Sequence, residues 1–358
     1  MRILVLTRYE RLGSSSRVRF YQYIPFLQKS GLDITVAPLL KDDYVRSLYT
    51  SKKPNPISVL SAYIERIGWI LKSQKFDLIW LEKELLPWFP AWCERLLDGF
   101  GIPYIVDYDD AVFHRYDQHS NGLVRFFLSK KIDQVMRHAA LVVVGNDYLK
   151  ERAVKAGAKR VVYLPSVVDG QQYLQPAISK PQFNIGWIGS PVTAPYLGTI
   201  SPSLDILARQ RDVKIILIGS GGTDPLPQLS KIVLPWSEET EAVDIHQFDV
   251  GIMPLQDGPF ENGKCGYKLI QYMAAGIPVV ASPVGINRQI VEHGVNGFLA
   301  SSEREWTQAL EYLHNNPKER RQMGDAGRKK FEREYDLKVT APQLLQFLEA
   351  TALHREIA

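Results

Sequence analysis

The chain has 358 residues, 45% of them apolar and 23% charged, with 43 Lys and Arg against 39 Asp and Glu. That composition is too apolar for disorder, and the length exceeds what one hydrophobic core usually fills, so two domains of roughly 150–200 residues are expected. Cys93 and Cys265 are the only cysteines, which excludes a disulfide framework and a cysteine-built zinc site and suits a reducing, cytoplasmic setting. No stretch approaches the ~20 apolar residues that span a bilayer, and Met1-Arg-Ile-Leu-Val-Leu-Thr7 turns polar too soon for a signal peptide. Charge is uneven: residues 1–168 carry a net of +8 and residues 169–358 a net of −4. A basic first half is either a solvated surface or an invitation to an anionic partner.

Short apolar runs alternate with helix-period segments, the rhythm of a doubly wound parallel sheet. Strands are expected at Arg2–Thr7, Asp33–Pro38, Asp77–Leu81, Tyr104–Asp107, Leu141–Gly145 and Arg160–Leu164. Helices are expected near Val18–Ser30, Ile57–Ser73, Trp88–Phe100, Leu123–His138 and Asp147–Ala156. A soft stretch at Ser166–Lys180 follows. The rhythm then restarts through Phe183–Ile188, Leu204–Arg209, Val213–Gly219, Phe248–Met253, Lys268–Ala275, Val279–Ser282 and Ile286–Glu292. This divides the chain into a first α/β domain over 1–168, a linker over 169–182, a second α/β domain over 183–335 and a helical tail over 336–358. The stretch Asn316–Ala358 is expected to be charged and helical with breaks at Pro317 and Pro342, and its tail to pack back on the first domain.

Residues 248–287 carry the chemistry. A buried strand ends at Pro254, a Gly/Asp/Asn/Pro-rich loop follows, and a helix begins near Gly266 and stops at Gly276. Backbone N–H groups at that helix start, from Cys265 to Lys268, form an anion site, and Gly266 has no side chain to hold a phosphate away. A helix terminus contributes about 0.3–1 kcal/mol per exposed interaction, so a diphosphate needs further positive charge, for which Lys264 and Lys268 are placed. Tyr267, Lys268 and Gln271 share one helix face, where the Gln271 amide suits a ribose diol. An ordinary crossover with solvated lysines has the same pattern.

In the first half, Gly13 and Ser14-Ser-Ser16 open a helix beside Arg17 and Arg19; they can present donors to a phosphate or sugar, or simply cap the helix. Tyr104-Ile-Val-Asp-Tyr-Asp-Asp110 ends a strand in carboxylates. Asp107 and Asp109 fall on one side of that strand if it persists. Leu123–His138 combines an apolar stripe with Arg125, Lys130 and Lys131. It reads first as core and second as a membrane-surface helix.

The segment Gly266 through Met273-Ala-Ala-Gly276, Pro278-Val-Val-Ala-Ser282 and Gly285 resembles the donor-binding signature of glycosyltransferase family 4. Leu164-Pro-Ser-Val-Val-Asp169 is similar to the family's interdomain segment, and Gly294-Val-Asn-Gly-Phe298 to its closing turn. The resemblance implies the GT-B fold: α/β, two doubly wound Rossmann-like domains with a deep interdomain cleft. It implies transfer of a sugar from a UDP- or GDP-sugar donor to a glycan or lipid-linked acceptor, with retention. No metal, cofactor or nucleic acid is implied, although contact with a membrane surface suits a lipid-linked acceptor. Ile185-Gly-Trp-Ile-Gly189 would meet the diphosphate, with Ser190 and Thr193 beyond it and Gly13, Ser15 and Arg17 on the first-domain side. Asp109 falls where many family members carry a histidine near the transferred sugar.

The departures lie in the charged positions. Gln271 stands at the second signature glutamate and Gly263 at the first, with Glu261 two residues early. Ser190-Pro-Val-Thr-Ala-Pro195 stands where an Arg and a Lys are usual, which moves the cationic clamp to Lys264, Lys268 and Arg17. Four other readings share some features. They are a sugar-nucleotide 2-epimerase of the same fold, a non-catalytic nucleotide-sugar-binding subunit, a metal-dependent transferase using Asp107-Tyr-Asp109, and a dinucleotide oxidoreductase. The last lacks its Gly-x-Gly-x-x-Gly turn, since Gly219-Ser-Gly-Gly222 has no spaced third glycine.

Overall fold

A computed structural model describes residues 1–49, 55–174, 182–222 and 224–357. It contains two six-stranded sheets in which every neighbouring pair of strands is parallel. The first sheet uses β1 (Arg2–Leu6), β2 (Asp33–Val36), β3 (Leu78–Glu82), β4 (Tyr104–Tyr108), β5 (Leu141–Val144) and β6 (Val161–Tyr163) in the order β2-β1-β3-β4-β5-β6. The second uses β7 (Phe183–Ile188), β8 (Val213–Ile218), β9 (Lys231–Leu234), β10 (Val250–Met253), β11 (Val279–Ala281) and β12 (Gly297–Leu299) in the order β12-β11-β10-β7-β8-β9. Two units result. One comprises Met1–Ser166, Gly263–Cys265 and the tail from Thr340; the other comprises Val167–Asn262 and Gly266–Val339.

Alternation along the strands explains both faces of the second sheet. Ile216 and Ile218 of β8 pack with Leu269, Ile270, Tyr272 and Met273 of the helix Tyr267–Ala274. Ile215 and Leu217 face the opposite way, onto Leu204 and Leu207 of the helix Ser201–Gln210 and Leu310 and Leu313 of the helix Glu303–Asn315. A strand buried on both sides must be apolar throughout, so these strands read as continuous Ile/Leu/Val runs.

Several expected elements differ. Only Trp92–Gly99 of the expected helix Trp88–Phe100 is helical, because Trp88 takes left-handed backbone at φ 66°. The expected helix Leu123–His138 is two helices, Gly122–Leu128 and Lys131–His138, broken where Lys131 turns inward to donate to the Leu86 carbonyl at 2.5 Å. Its second half is core as expected, with Ile132, Val135 and Met136 buried, but Leu123, Phe126 and Phe127 of the first half are exposed. Pro342 does not break the tail: it lies inside the helix Leu337–Ile357, while Pro317 opens the helix Pro317–Glu334 at its first turn, where a missing N–H is tolerated. Of the expected linker 169–182, residues 175–181 lie outside the described residues; Asp169 caps a short 3₁₀ turn over Gly170–Tyr173. No helix among the described residues is long and apolar enough to cross a membrane.

Candidate functional site

In the first sheet the chain leaves β1 for β2 on one side and returns to β3 on the other. Loops at the carboxyl ends of β1 and β3 therefore part, and such a switch point is where open parallel sheets bind ligands. The loop after β1 closes tightly: a Cβ on Gly13 would lie 2.3 Å from the Tyr9 Cβ. The next residues meet the end of β3. Glu82 Oε2 accepts from the Arg8 amide at 2.7 Å and the Ser16 hydroxyl at 2.6 Å. Lys83 follows in left-handed backbone at φ 63°, held by the Tyr108 hydroxyl, which donates to its carbonyl at 2.7 Å. An L-residue resists that conformation by roughly 1–2 kcal/mol, and such residues concentrate at functional positions.

The Lys83 ammonium is 5% exposed as part of its residue and lies at the centre of a charged cluster. It donates to Ser15 Oγ at 3.1 Å and sits 2.8 Å from Asp109 Oδ1, with Glu82 and Asp110 each at 3.9 Å. Beside it, Arg19 grips Asp107 through two bonds of 2.8 and 3.0 Å and donates to the Leu164 carbonyl at 2.8 Å. Burial pushes the Asp107 carboxyl up to about 6 against the opposing charge of Arg19. Burial also pushes Asp109 upward, but the Lys83 charge with the Lys83 and Ser15 hydrogen bonds reverses this, and the carboxyl ends below its ordinary value. Asp110 moves the other way, raised by burial and by the charge of Asp109, with Lys83 and Lys264 opposing. Of these three carboxyls, Asp109 is the one drawn below its ordinary value.

Within the same unit, Asn146 at the end of β5 fixes the short stretch Gly263–Cys265. Its amide donates to the Gly263 and Lys264 carbonyls at 2.9 and 3.0 Å, while its oxygen caps the helix Asp147–Ala156 by accepting from Leu149 at 2.9 Å. Cys265 is buried, and burial raises its thiol well above the ordinary value, so it packs as a neutral thiol. Arg17 is buried with its guanidinium 3.5 Å from the Arg11 carbonyl; Ser15 and Asp109, by contrast, meet at Lys83.

The second sheet has its own switch point, between β7 and β10. After β7, Gly189 leads into a closed turn: the Ser190 amide donates to Thr193 Oγ1 at 3.1 Å, and the Thr193 and Ala194 amides donate to the Ser190 carbonyl at 2.9 and 3.0 Å. After β10, the loop from Pro254 ends at Gly266, which precedes the helix Tyr267–Ala274 in left-handed backbone at φ 66°. A Cβ there would also lie 2.3 Å from Ile290 Cδ1. Gly266→Ala is therefore expected to lower stability by about 1–3 kcal/mol, from left-handed strain and overpacking together; urea unfolding would measure it.

This helix start is tied to both strand ends. Tyr272 Oη accepts from the Ile188 amide at 3.1 Å and donates to the Ile252 carbonyl at 3.3 Å. The Lys268 ammonium lies 5.5 Å from the centroid of the Trp187 ring, and the Tyr196 hydroxyl donates to Glu261 Oε1. Gln271, expected to share a face with Tyr267 and Lys268, is buried and donates to the Tyr173 hydroxyl at 3.1 Å, whereas Tyr267 and Lys268 are half-buried. Glu82, Lys83 and Tyr196 are not singled out by the sequence, and Trp187 enters there only as part of Ile185–Gly189. The available signal for Lys83 was three consecutive charges, Glu82-Lys83-Glu84, at the carboxyl end of an otherwise apolar strand.

Residues 197–316 match the family described as glycosyl transferases group 1, a stretch that contains the loop after β10 and the helix start at Gly266. Solved structures of similar fold span nearly the whole chain. HepE from Anabaena in complex with UDP-glucose is 15% identical, with a TM-score of 0.73 over 98% of this chain and 100% of its own. Sucrose-phosphate synthase from Thermosynechococcus elongatus is 15% identical, with a TM-score of 0.71 over 98% of each chain. A glycosyltransferase from Rickettsia africae is 12% identical, with a TM-score of 0.69 over 98% of each chain. No curated protein matches the chain in sequence. The shared architecture is α/β with two doubly wound parallel sheets, the GT-B arrangement of these structures.

Proposed function

We propose that the protein is a nucleotide-sugar glycosyltransferase that transfers a hexose with retention to a glycan or lipid-linked acceptor. The observation that carries this reading is that the matched family stretch includes a helix start at the β7/β10 switch point, where glycine is required both by backbone and by space. The donor is a UDP- or GDP-sugar; the similar structure of HepE contains UDP-glucose. Its diphosphate rests on the first-turn amides after Gly266, with Lys268 held at Trp187 and Lys264 supplying further charge, and Gly189, Ser190 and Thr193 bordering it. The helix amides and lysines stabilise the departing diphosphate without a metal ion. Glu261, which accepts from Tyr196, is assigned to the nucleotide side, whereas the Gln271 amide is buried against Tyr173 and is not given the ribose role.

Asp109 is assigned to the transferred sugar. As an ionised acceptor it hydrogen-bonds a sugar hydroxyl and favours positive charge developing at the anomeric carbon. The acceptor hydroxyl forms its bond to that carbon on the face the diphosphate leaves, its proton passing to the departing phosphate oxygen. Gly13, Ser15 and Arg17 shape the loop beside Asp109.

Thermal unfolding with UDP, GDP, ADP and CDP, each with and without EDTA, tests the donor class. One uracil or guanine nucleotide at about 100 times its Kd should stabilise the fold by about 2.7 kcal/mol, equally with and without chelator. Stabilisation by none of them, or only in the presence of a divalent ion, would refute the reading.

A further inference from the structure

We propose that the first unit docks on an anionic lipid surface through an apolar belt built on the helix Pro56–Leu71. This helix is inverted relative to ordinary packing. Its one buried residue is Arg66, which reaches inward to donate to the Thr7 and Ala37 carbonyls at 2.5 and 3.1 Å. Ile57, Leu60, Ile64, Ile67 and Leu71, spaced by three and four residues along one face, are instead exposed, from 45% for Ile67 to 77% for Ile57 and Leu71. An arginine anchored in the interior with isoleucine and leucine turned to water is the arrangement of a helix whose apolar face is covered by something other than its own core.

The belt continues through named contacts. Tyr63 of this helix donates to the Pro87 carbonyl at 3.0 Å, and its ring lies 5.8 Å from that of Phe89. Neighbouring Trp88 keeps left-handed backbone, is half exposed, and has its ring 5.7 Å from that of His119. Past His119, Arg125 donates to the Ser120 carbonyl at 2.9 Å, which fixes the helix Gly122–Leu128. There Phe126 and Phe127 pack edge to face and are 79% and 68% exposed.

The charge around the belt selects the occupant. Lys72 at the end of the first helix and Arg125 and Lys130 at the second are exposed, against one exposed carboxylate, Glu65, in the first helix, and residues 1–168 carry a net of +8. Aromatic tips with a cationic rim suit the headgroup boundary of an anionic bilayer, where tryptophan and phenylalanine enter and lysine and arginine meet lipid phosphates. A second copy of the chain would bring two such cationic faces together, which like-charge repulsion opposes. The inference concerns where a lipid-linked acceptor would be met, so it adds to the transferase reading, but it is independent of donor binding.

Co-sedimentation of the full chain with phosphatidylcholine vesicles, with and without phosphatidylglycerol, tests it. The wild type should bind the anionic vesicles, weakly at high salt, and bind neutral ones poorly. Leu60→Glu/Ile64→Glu and Phe126→Ser/Phe127→Ser alter exposed positions only. They should lower vesicle binding at least tenfold while leaving Tm and nucleotide binding at wild-type values. A wild type that stays in the supernatant with anionic vesicles, or variants that bind as the wild type does, would overturn the proposal. So would an unbound wild type whose self-association, followed by sedimentation equilibrium, is broken by the same variants. Loss of nucleotide binding in the wild type would instead count against the transferase reading.

Discussion

Lys83→Met is expected to lower Tm by about 6–20 °C and to move the acidic limb of the kcat/KM profile to higher pH. The ammonium lies 2.8 Å from Asp109 and 3.9 Å from both Glu82 and Asp110, away from solvent. Removing one partner of a buried ion pair leaves an uncompensated charge, at a cost of about 3–5 kcal/mol, and 1 kcal/mol corresponds to about 2–4 °C in a domain of this size. The direction of the pH effect follows from the same contacts. Asp109 sits below its ordinary value because of Lys83. Its stabilising contribution is therefore full above the unfolded carboxylate value and is lost as pH falls through the lower folded one. Without the ammonium, burial acts unopposed by that charge, so protonation moves to higher pH. If Asp109 must be ionised for transfer, activity is lost from the acidic side in step. Lys83→Arg keeps the charge but replaces a compact point donor by a planar fork, and should restore the profile in part. A Lys83→Met protein with wild-type Tm and pH profile would remove this cluster from the account.

The second large effect is expected at the helix start. Lys268→Ala and Lys264→Ala should each reduce kcat/KM for the donor about tenfold or more, the equivalent of about 1.4 kcal/mol of lost stabilisation. Lys268 is the more informative. It is half-buried and fixed against the Trp187 ring, so its charge is held in place and less screened than on a free surface. Trp187→Leu, which leaves Lys268 in the chain but removes the ring, should reproduce part of that loss. Steady-state kinetics with varied donor would separate a rise in KM from a fall in kcat. Wild-type kinetics in the double lysine variant would mean the diphosphate is neutralised elsewhere.

What could be read beforehand follows from where each residue's signal resides. Strands buried on both faces, such as Val213–Ile218 and Leu78–Glu82, announce themselves because helices cover both sides. Lys231–Leu234 and Gly297–Leu299, at the sheet margins, are short and only partly buried, and they pass for loop. The start of the helix Tyr267–Ala274 was legible because glycine punctuation at Gly266 and Gly276 is a backbone requirement written locally. Lys83 was not. A lysine between two glutamates has the appearance of a solvated run, and only the switch point between β1 and β3 turns it inward. The helix Pro56–Leu71 shows the same limit from the other side: its period reveals a stripe, but nothing local says that Arg66 rather than Ile64 faces the sheet.

The claim on which the functional account rests is that this chain's own amides and lysines hold a nucleotide's diphosphate at residues 266–268. A crystal structure of the protein with UDP or GDP tests it directly. Phosphate oxygens are expected on the first-turn amides after Gly266, with the Lys268 ammonium within bonding distance. A nucleotide seated elsewhere, or bridged by a divalent ion to Asp107 and Asp109, would contradict it.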